Sequence, residues 1–278
     1  MSAKVAVVTG ASSGLGRGIA RALGARGFTV YVTGRAAGEL DNAAAEVTAA
    51  GGRGVAVRCD HRVDDDVKTL FERVRGERGR LDILVNNAAA VHPAELTAPG
   101  GFWEKDLKLV DMIDVGLRSH YVSAYYAAPL MIATGAALIA QTSFYGARCY
   151  FHGPAYGAAK AGTDKMSFDM AADLRAHDVA AVSIWPGIIL TDKLKNLPRE
   201  HLPPAVAAAL PTFETPEFTG LVIEQLWRSP ERMALSGRAL IGAELGQLFG
   251  IRDIDGKQPP SLARKYGKPA NDFFVPEG

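Results

Sequence analysis

The chain has two cysteines in 278 residues, Cys59 and Cys149. That is too few for a disulfide framework, so a reducing, cytoplasmic setting with inert thiols is expected. It also has almost no net charge: 31 basic against 30 acidic residues leave +1, which removes the electrostatic reason for a nucleic-acid or anionic-membrane partner. No uninterrupted apolar run approaches the roughly 18 residues of a membrane span. Residues 1–8 lack the apolar core and small-residue cleavage site of a secretory leader. His61, His92, His120, His152, His177 and His201 show no metal-ligand spacing, so no metal is expected. Repeats and low-complexity tracts are absent as well. What remains, 48% hydrophobic and 22% charged residues, suits a globular chain with a sizeable core.

Short β-rich runs alternate with longer Ala-rich runs of helical period, the pattern of an α/β protein with a parallel sheet covered on both faces. Strands are expected near 4–9, 28–33, 53–58, 81–85, 136–142, 179–185 and 237–243. Helices are expected near 14–26, 36–50, 62–76, 105–132, 155–177 and 216–228. The strands are nearly continuous apolar runs, as in Val179-Ala180-Ala181-Val182-Ser183-Ile184, which fits burial on both faces. No linker divides the chain, so residues 1–250 read as a single doubly wound domain with a seven-stranded parallel sheet. Residues 190–215, rich in Pro, Leu and Ala, read as a helical flap. Residues 251–278 carry Pro259, Pro260, Pro269 and Pro276 without helical period and read as a tail.

The first strand runs into Thr9-Gly10-Ala11-Ser12-Ser13-Gly14-Leu15-Gly16. Glycines let the backbone turn sharply and approach a pyrophosphate, and the following helix offers free N–H groups at its positive end. A strand before the loop and a helix after it are the context of a dinucleotide site. An NAD site places a carboxylate at the end of the second strand; here Gly34-Arg35 stands there. A guanidinium can fork onto a 2′-phosphate, so NADP(H) is the expected cofactor. On a helix, Tyr156 and Lys160 share one face at i and i+4, and the ammonium is expected to lower the tyrosine pKa towards the working range of a general acid or base. Ser143 lies thirteen residues before Tyr156, at the end of the fifth strand.

Thr-Gly-x-x-x-Gly-x-Gly at 9–16, Asn86-Asn87-Ala88-Ala89, Ser143 with Tyr156-Gly157-Ala158-Ala159-Lys160, and Pro186-Gly187-Ile188-Ile189-Leu190-Thr191 occur in the order seen in the short-chain dehydrogenases/reductases. The chain resembles that family, and the resemblance implies a Rossmann fold and hydride transfer between NADP(H) and a carbonyl or secondary alcohol, with steroid or xenobiotic ketones as candidate substrates. It implies Ser143, Tyr156 and Lys160 as the catalytic set. The cofactor contacts it implies are Gly10, Ser12, Ser13, Gly14, Leu15, Gly16, Asp60, His61, Asn87, Ala88, Pro186, Gly187, Ile189 and Thr191, beside Arg35, Tyr156 and Lys160. It also implies a homodimer or homotetramer packed through the fourth and fifth helices.

Two departures stand out. Ala89 replaces a family glycine, and Gly116 replaces an asparagine whose main-chain carbonyl serves a water relay to the lysine; whether Asp114 or His120 takes over is open. Phe102 and Trp103 are expected to be packing residues, whereas Tyr150-Phe151-His152 suits packing or substrate contact equally. A catalytically weak dinucleotide-binding sensor or scaffold is the alternative function. Such a protein commonly loses the tyrosine or lysine, and both are present here.

Overall fold

The computed structural model describes residues 3–276; residues 1–2 and 277–278, at the outer ends of the expected domain and tail, lie outside the described residues. Strands β1 (Val5–Val8), β2 (Thr29–Gly34), β3 (Arg53–Arg58), β4 (Ile83–Asn86), β5 (Ala137–Thr142), β6 (Val179–Trp185) and β7 (Ala239–Ile241) form one parallel sheet. Their order is β3-β2-β1-β4-β5-β6-β7. Chain direction across the sheet reverses between β1 and β4, so a crevice opens beyond their carboxyl ends. Val8 pairs with Val32 on one side and Val85 on the other, which levels the three strand ends that border it.

Period-two geometry explains why the inner strands carry apolar residues on both faces. In β1, Ala6 and Val8 pack with Ile19 and Leu23 of α1 (Gly14–Ala25) and with Phe218 and Val222 of α6 (Pro216–Arg228). Val5 and Val7 point the other way, towards Leu70 and Val74 of α3 (Asp64–Arg78) and Leu130 and Met131 of α4 (Ser119–Thr134). Each fully buried aliphatic side chain of this kind contributes roughly 1.5–3 kcal/mol. The second face is completed by α5 (Pro154–Leu174), through Ala171 and Leu174, and the first by α2 (Ala37–Ala49). α3 shows how local sequence sets an element: Asp64, Asp65 and Asp66 fill its first turn, Arg75 and Arg78 its last, and Gly79 ends it in the left-handed region.

Most expected boundaries agree to within about two residues. The expected helix over 105–132 does not form as one piece. Asp106 takes the Lys108 N–H at 2.9 Å and starts a tight 3-10 turn, Leu107–Val110; Asp114–Arg118 then widens into a π-helical turn before α4 begins. The last strand ends at Ile241 rather than 243, because Gly242 opens an unanticipated helix, α7 (Gly242–Phe249). Residues 190–215 contain only short helices, Asp192–Lys195 and Pro204–Ala209, and a parallel bridge Ile189↔Glu214 joins the two ends of the segment. The tail is more ordered than its prolines imply. It forms a helical turn at Ala263–Tyr266, and Asn271 bonds both the N–H and the carbonyl of Ala239, at 2.8 and 3.0 Å. The open edge of β7 is thereby covered.

Candidate active site

A cavity of about 770 Å³ lies beyond the carboxyl ends of the strands. Its first half is the loop between β1 and α1. Thr9 and Ala11 donate their N–H groups to Val85 and Thr33 at 3.0 and 2.8 Å, which stretches the loop across both neighbouring strands. Asn87 Nδ2 donates to the Thr9 and Gly10 carbonyls, while Thr9 Oγ1 accepts the Asn87 and Ala88 N–H groups at 2.8 and 2.9 Å. Gly10 has φ +64°, and a Cβ there would come within 2.8 Å of Ala88 Cα; a Cβ on Gly16 would come within 2.5 Å of Asn87 Nδ2. These close approaches leave a glycine-lined cradle. No acidic residue occupies the first turn of α1, and its N-cap, Ser13, makes no side-chain capping bond, so the opening N–H groups remain available to an anion.

Of the expected site residues, all but Gly14 and Gly16 line this cavity; those two shape the loop behind it. Arg35, the first residue beyond β2, is exposed on its wall. Asp60 also lines it, with its Oδ1 accepting the Arg62 N–H at 3.1 Å. His61 lies deeper, with Nε2 2.8 Å from Thr33 Oγ1, and burial pushes its pKa down to about 4, so the ring is neutral. On the far side, Glu214 receives Thr219 Oγ1 at 3.1 Å and crowds Gly187, while Thr191 caps the Asp192–Lys195 helix. Burial pushes the Cys59 thiol up to about 12, which keeps it protonated.

Ser143, Tyr156 and Lys160 meet on the opposite wall. The Ser143 N–H extends the β5–β6 ladder to Ile184 O at 2.9 Å. His152 (φ +60°) and Gly153 (φ +92°) reverse the chain, and Pro154 starts α5, so Tyr156 falls in the first helical turn. Lys160 Nζ stands 5.6 Å from the Tyr156 ring centroid and donates to Thr142 O at 3.2 Å. Burial lowers the Lys160 pKa to about 8, partly opposed by Asp164.

One expectation requires correction. The Tyr156 pKa moves up, not down: burial against Phe151 and His152 dominates, and Lys160 is engaged by a main-chain carbonyl. The Ser143 hydroxyl donates to Lys160 O at 3.1 Å, so here it is turned towards α5. Gly116 sits buried in the π-helical turn, where an added Cβ would touch only Ala159 Cβ at 4.0 Å. Asp114 is exposed. His120 is buried, donates Nε2–H to Ala88 O at 3.0 Å, and is held neutral by burial and the charge of Lys160.

Sequence reasoning missed Thr142 and Asp164, whose contacts come from chain crossings no local motif encodes. It also misread Phe102 and Trp103. They are 65% and 75% exposed and line a second, largely apolar cavity of about 530 Å³ with Leu107, Met112 and Tyr150. His152 borders both cavities.

The family model for short chain dehydrogenase matches residues 4–201. The chain belongs to the short-chain dehydrogenase/reductase family. As a member, it is an oxidoreductase acting on hydroxyl or carbonyl groups with a nicotinamide cofactor. It is 42% identical to dehydrogenase/reductase SDR family member 1 of Mus musculus, over 99% of this chain and 87% of that protein. Among solved structures, a short-chain dehydrogenase/reductase from Serratia marcescens superposes with TM-score 0.72 at 26% identity, covering 86% of this chain and 96% of that one. A metagenomic family member in complex with NADP is 34% identical with TM-score 0.60, over 67% of this chain and 83% of its own. No helix among the described residues is long and apolar enough to cross a membrane.

Proposed function

We propose that this protein is an NADP(H)-dependent carbonyl reductase for apolar ketones, steroid or xenobiotic in character. The observation that carries the reading is the convergence of Ser143, Tyr156 and Lys160 on one wall of the cavity whose other end holds the Gly10 cradle and Arg35. The residues fit a dinucleotide. Gly10 and Gly16 clear the backbone, the α1 N-terminus is open to an anion, and Arg35 is exposed with no carboxylate paired to it among the described residues. An NADP complex in a 34% identical relative supports the same choice.

When bound, the cofactor supplies the hydride. The remaining chemistry belongs to the chain. Tyr156, held neutral by burial, gives its proton to the substrate oxygen as negative charge develops there. Lys160 supplies positive charge one helical turn away and holds the cofactor ribose. Ser143 rotates from the Lys160 carbonyl to donate to the same oxygen. The second, apolar cavity beside His152 supports a large apolar substrate body. Exposed Tyr121 and Tyr125 on α4 support a homo-oligomer packed through that helix and α5.

Steady-state NADPH oxidation with a panel of ketones tests the reading. Tyr156→Phe should cut kcat by about 10²–10⁴-fold with NADPH affinity little changed, whereas Lys160→Ala should impair both. Near-parental turnover by Tyr156→Phe on any ketone the parent reduces would refute the assignment, and binding without turnover of any carbonyl would leave the sensor reading in its place.

A further inference from the structure

We propose that Asp164 is a positioning residue of the reaction, the buried counter-charge that keeps Lys160 protonated and aligned with Tyr156. The inference rests on the reading that Tyr156 and Lys160 carry the proton step. Asp164 follows Lys160 by one helical turn on α5, which puts both on one face. Its side chain is buried. Oδ1 accepts from Ser183 Oγ at 2.6 Å and from Trp185 Nε1 at 3.0 Å, and Oδ2 lies 3.2 Å from the same indole nitrogen. The Ser143 hydroxyl lies against it as well. Two donors on β6, Ser183 and Trp185, therefore clamp a carboxylate behind the catalytic wall.

A buried carboxylate is unfavourable unless hydrogen-bonded and balanced by a cation; burial pushes the Asp164 pKa up, and the Ser183 and Trp185 donors and the Lys160 charge oppose it. Among the described residues, Asp164 forms no ion pair within 4 Å, and the charge of Lys160 acts on it to favour its ionised form. The relation is reciprocal, since Asp164 is the one charge acting on Lys160. The other titratable groups packed around the pair are uncharged: Tyr156 on α5, Tyr145 set edge-on to Trp185, and His120 on α4. Burial alone drives Lys160 towards its neutral form. Asp164 opposes that drift, and its clamp fixes the opposing charge in place. An asparagine would still accept hydrogen bonds from Ser183 and Trp185, so Asp164→Asn removes the charge with little change of shape.

The test follows Lys160 directly. Its ¹⁵Nζ resonance, assigned by its loss in Lys160→Arg, is titrated in the cofactor-free protein, and the pH profile of kcat is measured with NADPH and a ketone the parent reduces. In Asp164→Asn, Lys160 should titrate about one pH unit lower, and the alkaline limb of kcat should move down with it. Trp185→Phe, which keeps the carboxylate but removes its indole donor, should move both in the same direction by less. A purely structural role would lower kcat at every pH and leave the titration and the limb in place, and that result overturns the proposal. If Asp164→Asn does not fold, an unchanged Lys160 titration in Trp185→Phe overturns it equally. Should Lys160→Ala retain full turnover, the catalytic reading falls, while the cofactor-free titration still decides whether the two residues are paired.

Discussion

Replacing Arg35 with alanine isolates the cofactor preference from everything else in the site. The side chain stands one residue beyond β2, on the cavity wall shared with Ser12 and Ser13, and it makes no hydrogen bond or ion pair among the described residues. Its removal therefore breaks no internal contact. Charge-assisted hydrogen bonds contribute about 1.5–3 kcal/mol, or about 10- to 100-fold in a dissociation constant. Arg35 is exposed, so water and salt compete for the guanidinium and the effect belongs at the lower end, about 10- to 30-fold. Fluorescence titration of parent and Arg35→Ala with NADPH and NADH, each at low and high ionic strength, measures it. NADPH should weaken by that factor, NADH should not change, and raised salt should erode the parent's preference. Equal losses for both cofactors would mean that Arg35 serves the loop's shape and not a 2′-phosphate.

Gly116→Asn should leave kcat within about tenfold, roughly 1.4 kcal/mol, because the new Cβ meets only Ala159 at 4.0 Å and the main-chain carbonyl is kept; a larger loss with intact circular dichroism would refute this. Glu214, pushed by burial from 4.5 to about 8, binds its proton more tightly folded than unfolded. Folding stability attributable to it is therefore lost as pH rises from about 4.5 to about 8. Glu214→Gln should show a Tm advantage over the parent that grows between pH 5 and pH 8; parallel Tm curves would contradict it. Tyr266→Ala removes ring contacts with Tyr145 and Phe151, at 5.5 and 5.7 Å, worth about 1–3 kcal/mol together. Tm should fall by about 2–10 °C, and the substrate KM should rise as the Phe151 wall loosens; an unchanged Tm would show the tail to be dispensable.

Legibility followed the range of the determining interactions. The parallel sheet and most helices could be read because each strand is apolar at both parities, a local signal of burial on two faces. Gly10 and Gly16 could be read because their constraint is carried by the residue type itself. The segment 105–118 misled because its apolar residues, Leu107, Leu109, Val110 and Met112, keep a helical rhythm while Asp106 and the π-helical turn break the helix locally. α7 was hidden behind a glycine that also suits a strand end. The tail was misjudged because its order comes from partners far along the chain, Tyr145 and Ala239. The direction of the Tyr156 pKa was missed for the same reason: i,i+4 spacing reveals the cation nearby but not the burial that outweighs it.

The distribution of rigid and irregular parts bears on how such a site tolerates a glycine in place of the relay asparagine. Tyr156, Lys160 and Asp164 all ride on one 21-residue helix, so their mutual placement is set by helix geometry and not by any loop. Ser143 is fixed by the β5–β6 ladder, and Thr142 presents its carbonyl to Lys160 from the same strand. If the relay operates as the family resemblance implies, the π-helical turn has only to keep a backbone carbonyl in reach, and Gly116 keeps that carbonyl. Variation is left to the stretches around 92–113, 148–153 and 190–215, where Trp103, Tyr150 and His152 border the cavities. On the proposed function, changes there should appear in KM across a substrate panel. On the proposed mechanism, changes on α5, β5 or β6 should appear in kcat and its pH dependence whatever the substrate.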